Sequence, residues 1–227
     1  MPAIRTRPES LIVAVLLSVI GGFLDAYTFV GHGGVFANAQ TGNVVLFGVE
    51  AAARHWRAAL LHVPPILAFL VGVALAESLA RPAARRVLRR PTRVVLGAEI
   101  LVLAAVALLP ASVPDQVATT SVAFVAALQV STFRLLHDVA YNTTMTTGNL
   151  RTLVSSAYRW RTDRDAKAGR QAGRLGAVVA AFALGAAVGA ALTEHLGSPA
   201  VLLAAGGLVL VLVLIVVETA TLARRVV

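Results

Sequence analysis

The tripeptide Thr-Gly-Asn occurs twice, as Thr41-Gly42-Asn43 and, 106 residues later, as Thr147-Gly148-Asn149. Glycine at the centre of each copy permits backbone angles that are closed to other residues, which suits a break in a helix. A half-helix that begins at such a break points unpaired N–H groups at whatever occupies it. The pattern therefore predicts either a site for an anion or a polar neutral solute, or Thr and Asn caps that serve stability alone.

Charged residues inside apolar stretches are the next candidates for chemistry. Asp25 precedes the first tripeptide, and Arg134 holds a broadly similar place before the second. A carboxylate at that depth in a membrane helix costs about 2.5–3.5 kcal/mol, so we expect Asp25 to face the interior of the protein. We predict an ion pair between Asp25 and Arg134, as a gate or as a packing contact. Glu99 is expected within a span, either as a proton carrier or as a neutral, hydrogen-bonded group.

The other reactive side chains argue against an enzyme. The chain has no cysteine, which removes disulfides, thiolate nucleophiles and Cys-held metals. None of its five histidines lies three or four residues from another, so no metal site and no cofactor are expected. No nucleophile, base and orienting group occur together, and a membrane enzyme is the least favoured class.

The elements that must position these residues are membrane helices. Of 227 residues, 58% are hydrophobic and 14% are charged, whereas a soluble domain has roughly 45–50% and about 25%. The excess recurs along the chain and predicts a protein that crosses the bilayer repeatedly. The apolar or mixed stretches are 11–30, 35–53, 58–80, 94–109, 117–136, 139–158, 175–192 and 200–222. The second and the sixth are polar and contain the tripeptides.

The distribution of positive charge predicts the topology. The basic loops 81–93 and 159–174 and both termini are expected in the cytoplasm, and the loops 110–116 and 194–199, which lack Lys and Arg, outside. Between the cytoplasmic N-terminus and the cytoplasmic loop 81–93 the chain must cross an even number of times, although three stretches lie there. Between the outside loop 110–116 and the cytoplasmic loop 159–174 it must cross an odd number of times, although two stretches lie there. The two polar stretches are predicted to enter and leave on one face, as re-entrant or broken helices. The expected fold is an all-α polytopic membrane protein, with about six transmembrane helices and two re-entrant segments.

The surroundings of the tripeptides also recur. Each is followed by a basic aromatic turn that holds one of the two tryptophans, Trp56 or Trp160, and then by two apolar helices. We therefore divide a single membrane domain, 1–227, into halves of about 8–111 and 112–225. Each half crosses three times, so the halves lie in opposite orientation as an inverted repeat. Such repeats build the midplane sites of many transporters; the alternative is a duplicated bundle without a pathway.

The same residues carry a family resemblance. The motifs are Gly22-Phe23-Leu24-Asp25-Ala26, Gly33-Gly34-Val35-Phe36, the two tripeptides, Gln129 and Arg134. They resemble the YoaK family of bacterial inner-membrane proteins, a family of unknown function, over most of the chain. The resemblance implies a polytopic helical membrane protein with about six spans. It implies no substrate and no reaction.

Charge and small residues indicate the partners. The net charge of +9 comes from nineteen Arg and the single Lys167, placed in short loops, which favours anionic lipid headgroups over nucleic acid. The GxxxG spacing of Gly185 and Gly189 permits close helix contact within the chain or in a homo-oligomer.

We predict a transporter or channel for a small polar or anionic solute, with its site at the tripeptides, Asp25 and Arg134. A non-transporting scaffold or accessory protein is the alternative.

Overall fold

The computed structural model describes residues 10–82, 90–136 and 139–224 of a predominantly helical chain. The helices are α1 (Leu11–Gly31), α2 (Gln40–Ala52), α3 (Trp56–Leu61), α4 (Val63–Ala80), α5 (Pro91–Ala107), α6 (Asp115–Thr132), α7 (Thr146–Asp163), α8 (Ala166–Leu196) and α9 (Val201–Arg224), with a 3₁₀ turn at Ser198–Ala200. The short strands β1 (Leu135–Leu136) and β2 (Val139–Ala140) pair antiparallel, with Leu136 opposite Val139. This small hairpin is the one departure from the all-α prediction among the described residues.

Several helical segments have the length and composition of membrane spans. Among the described residues there are four, Leu11–Gly31, Trp56–Ala80, Ala166–Leu196 and Ser198–Ala220. Large apolar side chains cover their outer faces: Val71 of α4 is 60% exposed, and Leu184 of α8 is 60% exposed. Apolar surface of this extent is typical of a face that contacts lipid. The prediction of a helical membrane protein is confirmed at this level.

Glycine sets the packing of two helix pairs. Gly22 of α1 lies against the carbonyl of Phe182 in α8, and Gly185 and Gly189 of α8 lie against the carbonyls of Val19 and Phe23 in α1. From Val19 with Gly185, through Phe23 with Gly189, to Gly31 with Thr193, the paired numbers rise together, so α1 and α8 run parallel. In the same way Gly72 of α4 lies against Phe124 and Ala127 of α6. Small residues at these positions let helix backbones approach closely.

The core lies where α1, α5, α6 and α9 meet. Its fully buried side chains come from all four helices and include Leu17, Leu96, Leu103, Val122 and Leu208. The α1–α8 and α4–α6 pairs flank this core. In contrast, α2 and α7 are mostly exposed, and the structure gives Asn43 as the one buried residue of α2 and Asn149 and Ser156 as those of α7.

Local chemistry explains where the helices begin. The Ser10 hydroxyl accepts a hydrogen bond from the Val13 N–H at the start of α1, as an N-cap does. Asp165 caps α8 through the N–H groups of Lys167 and Ala168, which is why α8 begins at Ala166 and not at the predicted 175. The predicted stretch 139–158 becomes helical only at Thr146. Before it, the Asn142 side chain accepts the N–H groups of Thr144 and Met145 and so competes with helix formation.

Candidate solute-binding site

The chain between α1 and α2 folds back to the middle of α1. Gly33 and Gly34 have φ values of +78° and +72°, a region that favours glycine and permits the reversal. The side chain of Asn38 then donates to the Gly21 carbonyl at 3.0 Å. Asp25 Oδ1 accepts from the N–H groups of Asn38 at 2.7 Å and Ala39 at 3.3 Å. Helix α2 therefore begins beside the centre of α1.

The chain before α7 reaches the same turn of α1. A Cβ placed on Gly21 would lie 2.7 Å from the Thr143 carbonyl oxygen and 3.4 Å from the Thr144 Cα. Real Cβ atoms do not approach a carbonyl oxygen that closely. Gly21 is thus a place where both non-helical segments meet a single helix, and only a glycine leaves room for them.

The asparagine of each tripeptide holds the chain that precedes it. Asn43 accepts from the Phe36 N–H at 3.0 Å and donates to the Phe36 carbonyl at 2.7 Å. Asn149 makes the same two bonds with Asn142, at 3.0 and 2.7 Å. Both side chains are buried. They satisfy backbone groups that the break in the helix leaves without helical partners.

The two segments differ in what accepts their last N–H groups. Before α2 the acceptor is the Asp25 carboxyl of α1, which bonds Asn38 and Ala39. Before α7 the acceptor is the Asn142 amide oxygen, which bonds Thr144 at 2.9 Å and Met145 at 3.0 Å. A carboxyl group thus stands at one helix start and an amide at the other.

A cavity of about 850 Å³ lies between the two helix starts. Its lining includes Asp25 and the beginnings of both helices, Thr41 on one side and Thr146, Thr147 and Gly148 on the other. The chain before α7 contributes Asn142, Thr144 and Met145. The remaining wall is apolar and comes from α1, the chain before α2, and α8: Ala26, Phe29, Val30, Phe36, Ala39, Phe182, Ala186, Ala187 and Ala190. The cavity is thus polar at the helix starts and apolar around them.

The electrostatics of this cavity are asymmetric. Each helix N-terminus carries a partial positive charge of about +0.5. At α2 that charge faces Asp25, which is 5% exposed. At α7 no side chain caps the helix, and its first N–H groups have no carbonyl one turn earlier within the helix. The cavity can therefore receive a hydrogen-bond donor at Asp25 and an acceptor at α7.

The predicted site residues fall into three groups. Asp25, Thr41, Thr147 and Gly148 line the cavity. Gly42 lies against the Phe36 ring, where a Cβ would be 2.8 Å from the nearest ring carbon. Asn43 and Asn149, as described above, hold the flanking segments. All of these lie in or beside one cavity, although the tripeptides are far apart in sequence.

Arg134 is not part of this cavity, and the predicted Asp25–Arg134 ion pair is wrong. Arg134 follows the end of α6 and pairs with Glu77 near the end of α4, where both side chains are 55% exposed. Asp25 lies deep in α1 and bonds Asn38 and Ala39 instead. Similar spacing in sequence does not place the two at one depth, because Asp25 lies within a helix and Arg134 beyond the end of one.

Sequence reasoning did not single out the aromatic wall or the role of Gln129. Phe29 and Phe182 carried no signal, since apolar residues are expected throughout a membrane helix, and Phe36 entered only as part of the Gly33-Gly34-Val35-Phe36 motif. With its amide nitrogen toward Glu99, Gln129 donates to both carboxyl oxygens, at 2.7 and 3.1 Å, and accepts from the Thr143 hydroxyl at 3.2 Å. Glu99 is fully buried. The hydrogen bonds from Glu99 through Gln129 to Thr143 therefore connect α5 and α6 to the segment before α7.

The fold and cavity define a class: helical membrane proteins in which two helices begin at one cavity. Within it, the chain matches over residues 13–215 the family described as protein of unknown function DUF1275, which is the YoaK-like family. The chain belongs to this family, and the predicted resemblance is confirmed. No curated protein and no solved structure matches it. Within the described part of the chain, no three His, Asp or Glu side chains are placed to hold a metal ion.

Proposed function

We propose that this protein is a membrane transporter or channel for a small polar or anionic solute, which binds in the cavity between the starts of α2 and α7. One observation carries the proposal: both helix N-termini and the buried Asp25 carboxyl open onto the same cavity. The first N–H groups of a helix and the free oxygen of a buried carboxyl both favour a polar partner. A solute provides the partner.

The proposed topology has six spans and two re-entrant segments. In support, His32 Nδ1 lies 2.8 Å from Asp115 Oδ1, and the Tyr27 hydroxyl donates to the Ser198 carbonyl. These contacts group the end of α1 with the starts of α6 and α9 on one face. The Arg134–Glu77 pair groups the ends of α4 and α6 on the other.

The two segments then enter from opposite faces. Residues 32–62 leave the end of α1 and return to the start of α4. Gly72 meets Phe124 and Glu77 meets Arg134, so the paired numbers rise together, α4 runs parallel to α6, and both begin on the same face. Residues 133–136 and 139–165 lie between the end of α6 and the start of α8, which runs parallel to α1 and begins on the other face. Each segment reaches Gly21 in between. Segments that dip in from both sides and meet are the arrangement expected of an inverted repeat.

The packing supports the same proposal. Exchange of the two halves pairs α1 with α6 and α4 with α8. The α1–α8 contact then corresponds to the α6–α4 contact, and both are parallel and built on glycine. The paired Asn43 and Asn149 bonds agree with this correspondence.

The proposal is tested by filling the cavity without disturbing the bundle. A Cβ on Gly148 meets no atom within 4 Å, and Gly148 lines the cavity. Gly148→Leu therefore places a large side chain in open space. Gly206→Leu on α9 is the matched control, because Gly206 also has no neighbour within 4 Å and does not line the cavity.

The measurement is uptake of a panel of small anions, sugars and amino acids by proteoliposomes. We expect flux of at least one class through the unmodified protein, loss of that flux in Gly148→Leu, and normal flux in Gly206→Leu. Protein that moves no member of the panel, or flux that Gly148→Leu leaves intact, contradicts the proposal and favours a scaffold.

A further inference from the structure

We propose that the solute is a small apolar zwitterion, an α-amino acid with an aliphatic or aromatic side chain. Its ammonium group would bind Asp25, and its carboxylate would bind the start of α7. This inference rests on the proposed function, because it assigns the occupant of the same cavity.

The binding site inferred for the ammonium group is the second oxygen of the buried Asp25 carboxyl. Asp25 is 5% exposed, and its Oδ1 accepts from the N–H groups of Asn38 and Ala39. Its Oδ2 accepts from no described residue, and no cationic side chain in the described ranges pairs with it. A buried carboxylate without a cation is strongly unfavourable. A ligand ammonium supplies both the charge and the missing donor.

The carboxylate end follows from the donors at α7. The Asn142 side chain accepts the N–H groups of Thr144 and Met145, which precede α7, and not those of the first helical residues. The N–H groups of Thr146, Thr147 and Gly148 come next, and all three residues line the cavity. The hydroxyls of the two threonines donate to no described residue. A helix start with free N–H groups and hydroxyls is a binding site for an anion such as a carboxylate.

The apolar side chain of the ligand is inferred from the apolar wall of the cavity. The rings of Phe29 and Phe36 stack with their centroids 4.6 Å apart, and Phe182 and Ala186 of α8 also line the cavity. A sugar would leave this surface without an apolar partner. A simple anion would leave Asp25 unpaired, and an alkylamine would leave the start of α7 unpaired. A zwitterion with an apolar side chain uses all three features, and its net charge is zero.

The test compares three ligands on the purified protein in lipid nanodiscs. They are L-leucine, 4-methylpentanoate, which lacks the ammonium group, and 3-methylbutylamine, which lacks the carboxylate. We expect leucine to bind at least about tenfold more tightly than either, a difference of about 1.4 kcal/mol. This comparison needs no variant, so it stays decisive whatever a substitution does to folding.

A variant identifies the residue responsible. Asp25→Asn keeps an oxygen that can accept the Asn38 and Ala39 N–H groups and removes the charge. We expect it to weaken leucine binding at least about tenfold and not to weaken 4-methylpentanoate binding, because the variant removes a negative charge from the cavity. Glu77→Gln is the matched control, because it neutralises an exposed carboxyl outside the cavity, and it should bind leucine normally.

The results that would overturn the inference also distinguish its failure from failure of the proposed function. If 4-methylpentanoate binds as tightly as leucine, or if Asp25→Asn binds leucine normally, the zwitterion is wrong, while transport of an anion or another polar solute stands. If no member of the wider panel is bound or transported, both proposals fail.

Discussion

At the scale of single residues, the tripeptide asparagines act on the backbone. Asn43 and Asn149 each hold the N–H and the carbonyl of a residue seven positions earlier. In a segment without regular hydrogen bonding, an unpaired buried polar group costs about 1–3 kcal/mol. The two side chains therefore hold the segments that line the cavity beside the starts of α2 and α7.

Asn149→Ala tests this role. The change leaves the Asn142 N–H and carbonyl without their partner, so we expect a loss of about 2 kcal/mol in the free energy of unfolding. Thr152→Ala on the same helix is the control, because the Thr152 hydroxyl bonds the Gly148 carbonyl on the exposed side. The measurement is reversible denaturation in detergent. Equal stability of the two variants would contradict a clamp at Asn149.

At the scale of elements, close contact between α1 and α8 depends on glycine. A side chain at Gly22 or Gly185 would overlap the backbone carbonyl of Phe182 or Val19. Backbone cannot move aside as a flexible side chain can, so the helices must separate. Since Asp25 and Phe182 lie on these two helices and line the cavity, their separation would also change the site.

Gly185→Ala is expected to destabilise the protein by about 1–3 kcal/mol, the usual cost of overpacking. Gly206→Ala should have little effect, because its Cβ meets no atom within 4 Å. The thermal unfolding midpoints of both variants in detergent measure the difference. If Gly185→Ala unfolds at the temperature of the unmodified protein, the contact is looser than described.

The start of α8 provides a pH-dependent element outside the membrane-spanning segments. The Ala168 N–H, together with the Lys167 N–H and the charges of Arg159 and Lys167, lowers the pKa of Asp165 below its ordinary value of 3.8. A pKa that is lower in the folded than in the unfolded protein gives stability that is present above 3.8. That stability is lost as the pH falls through the lowered pKa.

We therefore expect Asp165→Ala to lower the unfolding temperature at pH 7. The difference in unfolding temperature between the variant and the unmodified protein should become smaller as the pH falls below 3.8. Asp163→Ala is the control, since Asp163 ends α7 and caps no helix. Thermal unfolding followed by circular dichroism over this pH range measures the gap. A gap that is constant with pH would show that the Asp165 charge does not stabilise α8.

At the scale of the whole molecule, the topology can be tested with cysteine, because the natural chain has none. His55, Ala111 and Arg161 are exposed positions between helices or near a helix end. In the proposed arrangement, His55→Cys and Ala111→Cys lie on one side of the membrane and Arg161→Cys on the other. A membrane-impermeant maleimide applied to intact cells and to inverted vesicles should label them accordingly. Labelling of His55→Cys and Arg161→Cys from the same side would exclude two segments that enter from opposite faces.

Much of the molecule could be predicted from its sequence. Membrane helices follow from apolar runs, because bilayer thickness fixes their length, and 11–30, 58–80 and 94–109 correspond to α1, α3 with α4, and α5. The tripeptides marked the helix starts, but the breaks lie before Gln40 and Thr146, and Gly42 and Gly148 are helical residues in the first turns of α2 and α7. The interior position of Asp25 followed from the cost of exposing a carboxylate to lipid.

Only the tertiary structure decided what those residues meet. Distance along the chain suggested Arg134 as the partner of Asp25, but the actual donors are the Asn38 and Ala39 N–H groups, brought there by a reversal at Gly33 and Gly34. The aromatic wall likewise depends on the parallel packing of α1 and α8. Local sequence determines which groups must be satisfied, because their desolvation cost is local. Which group satisfies them depends on contacts between helices distant in sequence, and a single sequence does not encode these in any short pattern.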